Sequence, residues 1–504
     1  MEAKIAFGTG GLRGIMGDES GCINHHVIQH VTHGLTKIIL TDDAPKSVGV
    51  AYDTRFKSDE FAQIVCDVLS AFGINVYIFD RPMPTPMLSH AIRLMNLGWG
   101  VCITASHNPQ EYNGYKVYDF NGVQVTDYLA ARIANSINSL AENESVPDIK
   151  KDLIKIFDNR VIDAYFKQII NFVGVETEQK PFPIVYSALY GAGANVVPIV
   201  LEKLGFSPVC IQQEADGAFG GLKTPNPEEP TVFKAALIEA EKKGATLILA
   251  TDPDCDRVGV MVRTKQGFEL LSGNQIGALL IDYLAQTRGC KPGDTVISTI
   301  VSGQLGEFVA KSYGLEFVRL LTGFKYIGEY IVNLPEDKQF FFGYEESYGF
   351  LAGDGARDKD AVIASALIVK MAAYYDTKEM SLLDRWHELC EKHGYCLEVL
   401  HSFDVSQDKQ HEIMKQLRND TIDGATRRDD YLDGINGLPV ANVMKIYFEN
   451  PDNAIVYDNW VAVRPSGTES KLKTYIGVCT RTYKEAKDSL VELKDRIRQT
   501  LKMT

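Results

Sequence analysis

The hexapeptide Asp252-Pro253-Asp254-Cys255-Asp256-Arg257 sets three carboxylates at alternate positions between two apolar runs, Thr246 to Ala250 and Val258 to Val262. A tight loop at a strand end with this composition is a hard oxygen cage suited to Mg²⁺. Without a cation the three charges would repel one another in a desolvated turn. An EF-hand is excluded, because its sixth position would be Arg257 rather than Gly and its twelfth Arg263 rather than Glu. A solvated acidic turn is the plainer alternative, weakened by the flanking strands.

A second candidate, Thr104-Ala105-Ser106-His107-Asn108-Pro109, follows the apolar run Trp99 to Ile103. A serine at the end of a buried strand stands on a rigid turn, which suits a nucleophile or a phosphoryl carrier, although most such residues only cap turns. His107 and Asn108 favour the turn itself, and Pro109 stops the strand. Downstream, Asn113-Gly114 and Asn121-Gly122 signal turns around Tyr115-Lys116-Val117-Tyr118. Lys116 then alternates with aromatics on a short strand near Ser106, a place for an acid/base amine, with an ordinary surface lysine as the alternative.

Arg464-Pro465-Ser466-Gly467-Thr468-Glu469-Ser470 combines one Arg, three hydroxyls and a Gly that frees backbone N–H groups. That composition makes a phosphate cradle, or a plain turn; without the Walker A lysine pattern it implies no nucleotide loop. In Gly343-Tyr344-Glu345-Glu346-Ser347-Tyr348-Gly349, two carboxylates and a hydroxyl at a strand end are placed to bind paired sugar hydroxyls. The basic members of Arg357-Asp358-Lys359-Asp360 are placed to meet a phosphate. Phe7 to Gly14 reads as a flexible loop with one cation, Arg13; no strand precedes it, so a dinucleotide fingerprint is a poor reading.

The elements that must position these residues share one grammar. Ser47 to Tyr52 reads as a strand, Asp53-Thr54-Arg55 as a turn, Ser58 to Phe72 as a helix ending at Gly73, and Ile74 to Phe79 as the next strand. The same order recurs from Phe182 through Gly205 to Ile211, and from Thr295 through Gly314 to Leu320. From about Gly394 short strands (Cys396 to Leu400, Val443 to Phe448, Trp460 to Arg464, Lys473 to Val478) and a closing helix, Tyr483 to Leu501, read as α+β. Three related α/β domains and a smaller fourth follow, which agrees with 504 residues at roughly 150 per domain.

Composition excludes several classes. The 52 Lys+Arg against 66 Asp+Glu give a net charge of −14, without the basic footprint of a nucleic-acid binder. Any anionic substrate must be drawn in by a local cluster of cations. No run reaches the roughly 18 apolar residues of a membrane span; Ala361 to Tyr375 is shorter and carries Lys370. The first residues hold no apolar stretch for a secretory signal, and nine scattered cysteines without a C-x-x-C pair read as reduced cytoplasmic thiols.

Together TASHNP, DPDCDR, GYEESYG and RPSGTES, one per expected domain and in order, resemble the α-D-phosphohexomutase superfamily, which includes phosphoglucomutases and phosphomannomutases. The opening FGTGGLRG and RDKD are similar to its phosphoglucomutase and phosphopentomutase branch. The resemblance implies an α/β fold of three related α/β domains with mixed sheets plus a C-terminal α+β domain around a central cleft. The expected divisions are 1–150 with the phosphoserine loop, 151–264 with the metal loop, 265–390 with the sugar loop and 391–504 with the phosphate loop.

It further implies that Ser106 is the phosphoserine and that Asp252, Asp254 and Asp256 hold Mg²⁺, with a Ser106 phosphoryl oxygen completing the coordination. Lys116 would move protons, which requires a lowered pKa. Arg13 and Arg257 would face the phosphoryl group, and His107 joins the catalytic loop. Glu345 and Ser347 would take the sugar. Arg464, Ser466, Gly467 and Thr468 would take the distal phosphate, beside Arg357 and Lys359, which the residues alone place to meet a phosphate. Lys325, in Thr322-Gly323-Phe324-Lys325, stands where some phosphomannomutases carry His, and its role stays open; Glu469-Ser470 replaces the usual Glu-Pro.

The expected reaction interconverts hexose 1-phosphate and hexose 6-phosphate, glucose first, through a hexose 1,6-bisphosphate that also serves as activator. Mannose and pentose phosphates stay open as substrates. A haloacid-dehalogenase-type phosphatase is the rival enzyme, although that family wants Thr or Val where Asp256 stands. A non-catalytic sugar-phosphate sensor is the rival without chemistry.

Overall fold

The computed structural model describes residues 11–141, 144–175, 182–450, 458–465 and 471–501. The chain divides into two compact units, Met1–Gly273 with Phe324–Ser381, and Asn274–Gly323 with Leu382–Thr504.

In the first unit a six-stranded sheet runs in the order Gly11–Ile15, Tyr112–Tyr118, Trp99–Ile103, Ser47–Tyr52, Asn75–Ile78, Ile154–Ile156. The first two strands pair antiparallel with their neighbours and the remaining four run parallel, so the sheet is mixed. Every residue of Trp99–Ile103 is buried, as a central parallel strand requires. A second sheet joins Ile184–Ser187 in parallel to Val209–Ile211 and Leu247–Thr251, then continues antiparallel through Val258–Thr264 and Gly267–Leu271. Phe340–Glu345 and Gly349–Ala352 form an antiparallel hairpin. The apolar run near Lys370 is the helix Ala361–Asp376, buried almost all round, with the Lys370 amine donating to the Gly174 carbonyl at 2.7 Å. Among the described residues no helix is long and apolar enough to cross a membrane.

In the second unit, Thr295–Thr299 and Glu316–Leu320 pair in parallel around the helix Leu305–Ser312. An antiparallel sheet is ordered Tyr395–Asp404, Lys471–Thr480, Asn459–Pro465, Met444–Phe448, Ala425–Asp430. The helices Gln407–Asn419 and Tyr483–Thr500 supply Ile413, Leu417, Leu493 and Ile497 to its core. Thr482 and Glu485 close a capping box at the start of the last helix.

Three expectations need correction. Gly11–Ile15 is a strand rather than a flexible loop, paired residue by residue with Tyr112–Tyr118. Asn113-Gly114 lies inside that partner strand and is not a turn: Gly114 faces Arg13, and a Cβ there would stand 2.5 Å from the Thr104 carbonyl oxygen. Three chain segments thus meet too closely for a side chain, which overrides the turn preference. The third concerns the thiols. Cys396 and Cys479 lie directly opposite on adjacent antiparallel strands and form a disulfide, a register that their separation of 83 residues conceals. The other seven cysteines are free.

Candidate active site

The serine loop leaves the carboxyl end of Trp99–Ile103, and the acidic loop leaves the carboxyl end of Leu247–Thr251, the usual ligand-binding ends of α/β sheets. Both belong to the first unit. Ser106 Oγ donates to Asp252 Oδ2 at 2.8 Å and also contacts His107 Nδ1 at 3.2 Å. Ser106 is buried and takes a left-handed backbone conformation, φ 53°. Arg13 projects from its strand to donate to Asn108 Oδ1 at 3.1 Å, which ties the N-terminal strand to the serine loop.

The acidic loop is a buried hairpin turn. Asp252 Oδ1 accepts from the backbone N–H groups of Asp256 (3.1 Å) and Arg257 (2.9 Å), which folds the loop back on its first residue. Asp252, Asp254 and Asp256 are fully buried and offer one oxygen each, all within 4.8 Å of one another. Asp254 Oδ1 and Asp256 Oδ1 are buried with no hydrogen-bond partner among the described residues. Buried carboxylate oxygens do not stay orphaned without cause, and three converging hard donors fit a divalent cation such as Mg²⁺.

Two lysines oppose this charge. Lys116 Nζ donates to Asp254 Oδ2 at 2.7 Å and Asp256 Oδ2 at 3.1 Å; Lys359 Nζ stands 3.4 Å from Asp256 Oδ2 and 3.2 Å from Asp358 Oδ1. Burial alone would lower the Lys116 pKa, but Asp254, Asp256 and Asp358 outweigh it and hold the amine well above its ordinary value. The expected lowering is therefore corrected: in this arrangement Lys116 is an ammonium. Burial and the Asp256 and Asp254 charges push Asp252 up, whereas Lys116, Lys359 and Arg257 overcome burial to hold Asp256 well below the usual range. Burial, with Arg257 and Arg13, lowers His107 well below its ordinary value, so it is neutral. Arg257 donates to Glu228 Oε1 at 2.6 Å.

Glu345 ends its strand buried, near enough to Arg257 and Lys359 to raise both their pKa values, and Ser347 follows in the hairpin turn. The remaining candidate cations have protein partners. Lys325 Nζ donates to Asp127 Oδ1 at 2.7 Å, and the Arg357 guanidinium donates to Asp354 within its own loop. Lys359, expected on a phosphate, lies among the carboxylates. In the second unit, Arg464 Nη1 donates to Thr322 Oγ1 at 2.8 Å. Ser466, Gly467 and Thr468 lie outside the described residues.

Sequence reasoning missed several supporting residues. Thr85, at a helix start, donates its hydroxyl to Asp254 Oδ2 at 2.8 Å. Tyr118 donates to Asp358 Oδ2 at 2.7 Å. Asp53 and Arg55, read as a turn, brace the serine loop. Charged residues directly after the apolar strand Ser47–Tyr52 were the available signal, the same one that exposed the acidic loop.

Comparison with known proteins agrees with this geometry. The chain matches the family descriptions Phosphoglucomutase/phosphomannomutase, alpha/beta/alpha domain I over residues 4–144, domain II over 163–267 and domain III over 272–392. It is 35% identical to the phosphoglucomutase of Staphylococcus haemolyticus over 97% of this chain and 93% of that protein. A phosphoglucomutase/phosphomannomutase family protein from Burkholderia thailandensis superposes with a TM-score of 0.78 at 18% identity, covering 100% of this chain and 98% of that one. The Aspergillus fumigatus N-acetylphosphoglucosamine mutase, solved in complex with GlcNAc-6P and magnesium, gives 0.54 at 14% identity over 99% and 96%. The chain belongs to the phosphoglucomutase/phosphomannomutase family. It is an enzyme, a phosphohexomutase of the isomerase class, with three α/β/α domains and a C-terminal domain.

Proposed function

We propose that this enzyme interconverts glucose 1-phosphate and glucose 6-phosphate, with Ser106 as the phosphoryl carrier and glucose 1,6-bisphosphate as intermediate and activator. The observation that carries the reading is the 2.8 Å hydrogen bond from Ser106 Oγ to Asp252 Oδ2, which sets the serine against the three carboxylates. The phosphoglucomutase relatives support glucose. The chain's four divisions at 150, 264 and 390, and a cytoplasmic location, belong to the same reading.

Asp252, Asp254 and Asp256 would hold Mg²⁺, which neutralises charge on transferring phosphoryl oxygens when bound. Asp252 Oδ2 orients the seryl proton away from the attacking lone pair. Lys116 and Lys359, as ammonium groups, offset the carboxylates and leave the site able to accept a dianionic phosphate. Arg13 and Arg257 would face the phosphoryl oxygens, Glu345 and Ser347 the sugar hydroxyls, and the Arg464 loop the distal phosphate. A dehalogenase-type aspartyl phosphate loses support, because Asp252 is occupied as the serine's acceptor.

The test is a coupled assay on glucose, mannose, glucosamine and ribose 1-phosphates with the matching bisphosphate, on wild type and Ser106→Ala. Preferred turnover of glucose 1-phosphate, with label from the bisphosphate on Ser106 and neither activity nor label in the variant, is the expected result. Full activity in Ser106→Ala, or preference for another sugar, overturns it.

A further inference from the structure

We propose that Arg55, paired with Asp53, is the positioning residue that holds the serine loop in its working conformation; this rests on the reading of Ser106 as phosphoryl carrier. The Arg55 guanidinium is fully buried and spends its donors on main-chain carbonyls of one loop. Nη2 donates to the carbonyls of Ser106 and of Asn108 (2.5 Å), and Nη1 to those of Pro109 (2.8 Å) and Tyr112 (3.1 Å). Its Nε lies 3.2 Å from Asp53 Oδ2. The ring of Phe219 covers the guanidinium carbon at 5.0 Å.

Asp53 acts on the other side of the same serine. Its Oδ2 accepts from the Thr104 hydroxyl at 2.6 Å, and that hydroxyl oxygen accepts from the Ser106 N–H at 2.8 Å. Its Oδ1 is fixed in turn by the Arg55 N–H at 3.0 Å and the Ser58 hydroxyl at 2.7 Å. One buried ion pair therefore grips both peptide groups that flank Ser106.

The grip matters because Ser106 has a left-handed φ of 53°, which a residue with a Cβ disfavours and keeps only where its surroundings enforce it. That conformation is the one in which Oγ reaches Asp252. Without the fork, the peptide is free to relax to negative φ and to carry the hydroxyl off the carboxylates. A lysine cannot replace it, since a single ammonium has no planar array of donors for four carbonyls. Arg55 touches no sugar or phosphoryl atom in this scheme, so its effect falls on the chemical step rather than on substrate affinity.

Arg55→Ala and Arg55→Lys should keep KM for glucose 1-phosphate within about threefold of wild type, while kcat falls about 100-fold, the scale of an ångström-sized misplacement. Millimolar guanidinium should recover about tenfold of the lost kcat in Arg55→Ala by refilling the vacated pocket, and none in Ser106→Ala. A cooperatively melting Arg55→Ala whose kcat is near wild type, or whose loss guanidinium leaves untouched, overturns the proposal. If Arg55→Ala does not fold, Arg55→Lys decides by the split between kcat and KM: lost kcat at kept KM supports the role, and an unchanged kcat refutes it. Labelling separates the two readings. Wild type that never takes up phosphoryl label on Ser106 removes the carrier itself, whereas labelled wild type with indifferent Arg55 variants removes only the clamp.

Discussion

Lys116 and Asp254, 138 residues apart in the chain, meet through a 2.7 Å hydrogen bond between two side chains that are almost wholly buried. Each makes the other tolerable. A lone ammonium or carboxylate at this depth would bear the full desolvation penalty, and the pair exists because a strand of one sheet meets the loop at a strand end of another. The same ammonium serves Asp256, which Lys359 also approaches at 3.4 Å, so one amine bridges two of the three carboxylates.

Lys116→Met should therefore cost at least as much as the loss of a proton-transfer group. It leaves two buried carboxylates without their principal counter-charge, and a fall in kcat of about 10²- to 10⁴-fold is expected. Steady-state kinetics at saturating bisphosphate measure it; a variant with more than a tenth of wild-type kcat contradicts the assignment.

Removing the divalent cation should abolish turnover and lower thermal stability. Saturating Mg²⁺ at about 100 times its Kd should stabilise the apo-protein by about 2.7 kcal/mol. Thermal melts with EDTA and with added Mg²⁺ test this. In Asp254→Asn the Mg²⁺-dependent rise in Tm should shrink or vanish, and an undiminished rise would place the ion elsewhere.

Glu398 gives a pH signature in the second unit. It accepts from Asn274 Nδ2 at 3.0 Å, and burial pushes its carboxyl up from 4.5 to about 7 despite Asn274, Arg319 and the Gln304 backbone. A carboxyl whose folded pKa is raised is protonated in the folded chain while already ionised in the unfolded one. Its contribution to stability is present at acid pH and is lost as pH rises from about 4.5 to about 7. Glu398→Gln should thus be more stable than wild type above pH 7, by up to about 3 kcal/mol and with a higher Tm, and converge with it near pH 4.5. A Tm difference that does not change with pH would dismiss the assignment.

Gly114→Ala probes the seam between the N-terminal strand and the serine loop. Its Cβ would stand 2.5 Å from the Thr104 carbonyl and 2.7 Å from that of Leu12, both backbone atoms. Overpacking of this kind costs about 1–3 kcal/mol. Because Thr104 orients the Ser106 N–H, kcat should fall together with Tm. Unchanged melting would show that the strands separate without cost.

The candidate groups of the site were legible in the chain. Ser106 and the three aspartates are chemical residues set directly after apolar strands, and the structure brings the two loops into hydrogen-bonding contact. What the sequence concealed is long-range. Asn113-Gly114 carries a strong local turn signal, yet crowding between three segments keeps it extended. Lys325 and Arg357 look like free cations until the structure supplies Asp127 and Asp354. The Lys116 pKa went the opposite way because burial was foreseeable from the aromatics beside it, whereas its two carboxylate neighbours come from another sheet. The Cys396–Cys479 pairing depends on strand register, which spacing cannot reveal.

The guanidinium of Arg55 is indifferent to which side chains its loop carries, since carbonyl oxygens are the same in every residue. Shape in that stretch is consequently uncoupled from spelling. Outside His107 and Asn108, whose side chains have contacts of their own, a substitution such as one at Gln110 or Glu111 should leave the curve of the main chain intact, because a pair of residues about fifty positions upstream holds it.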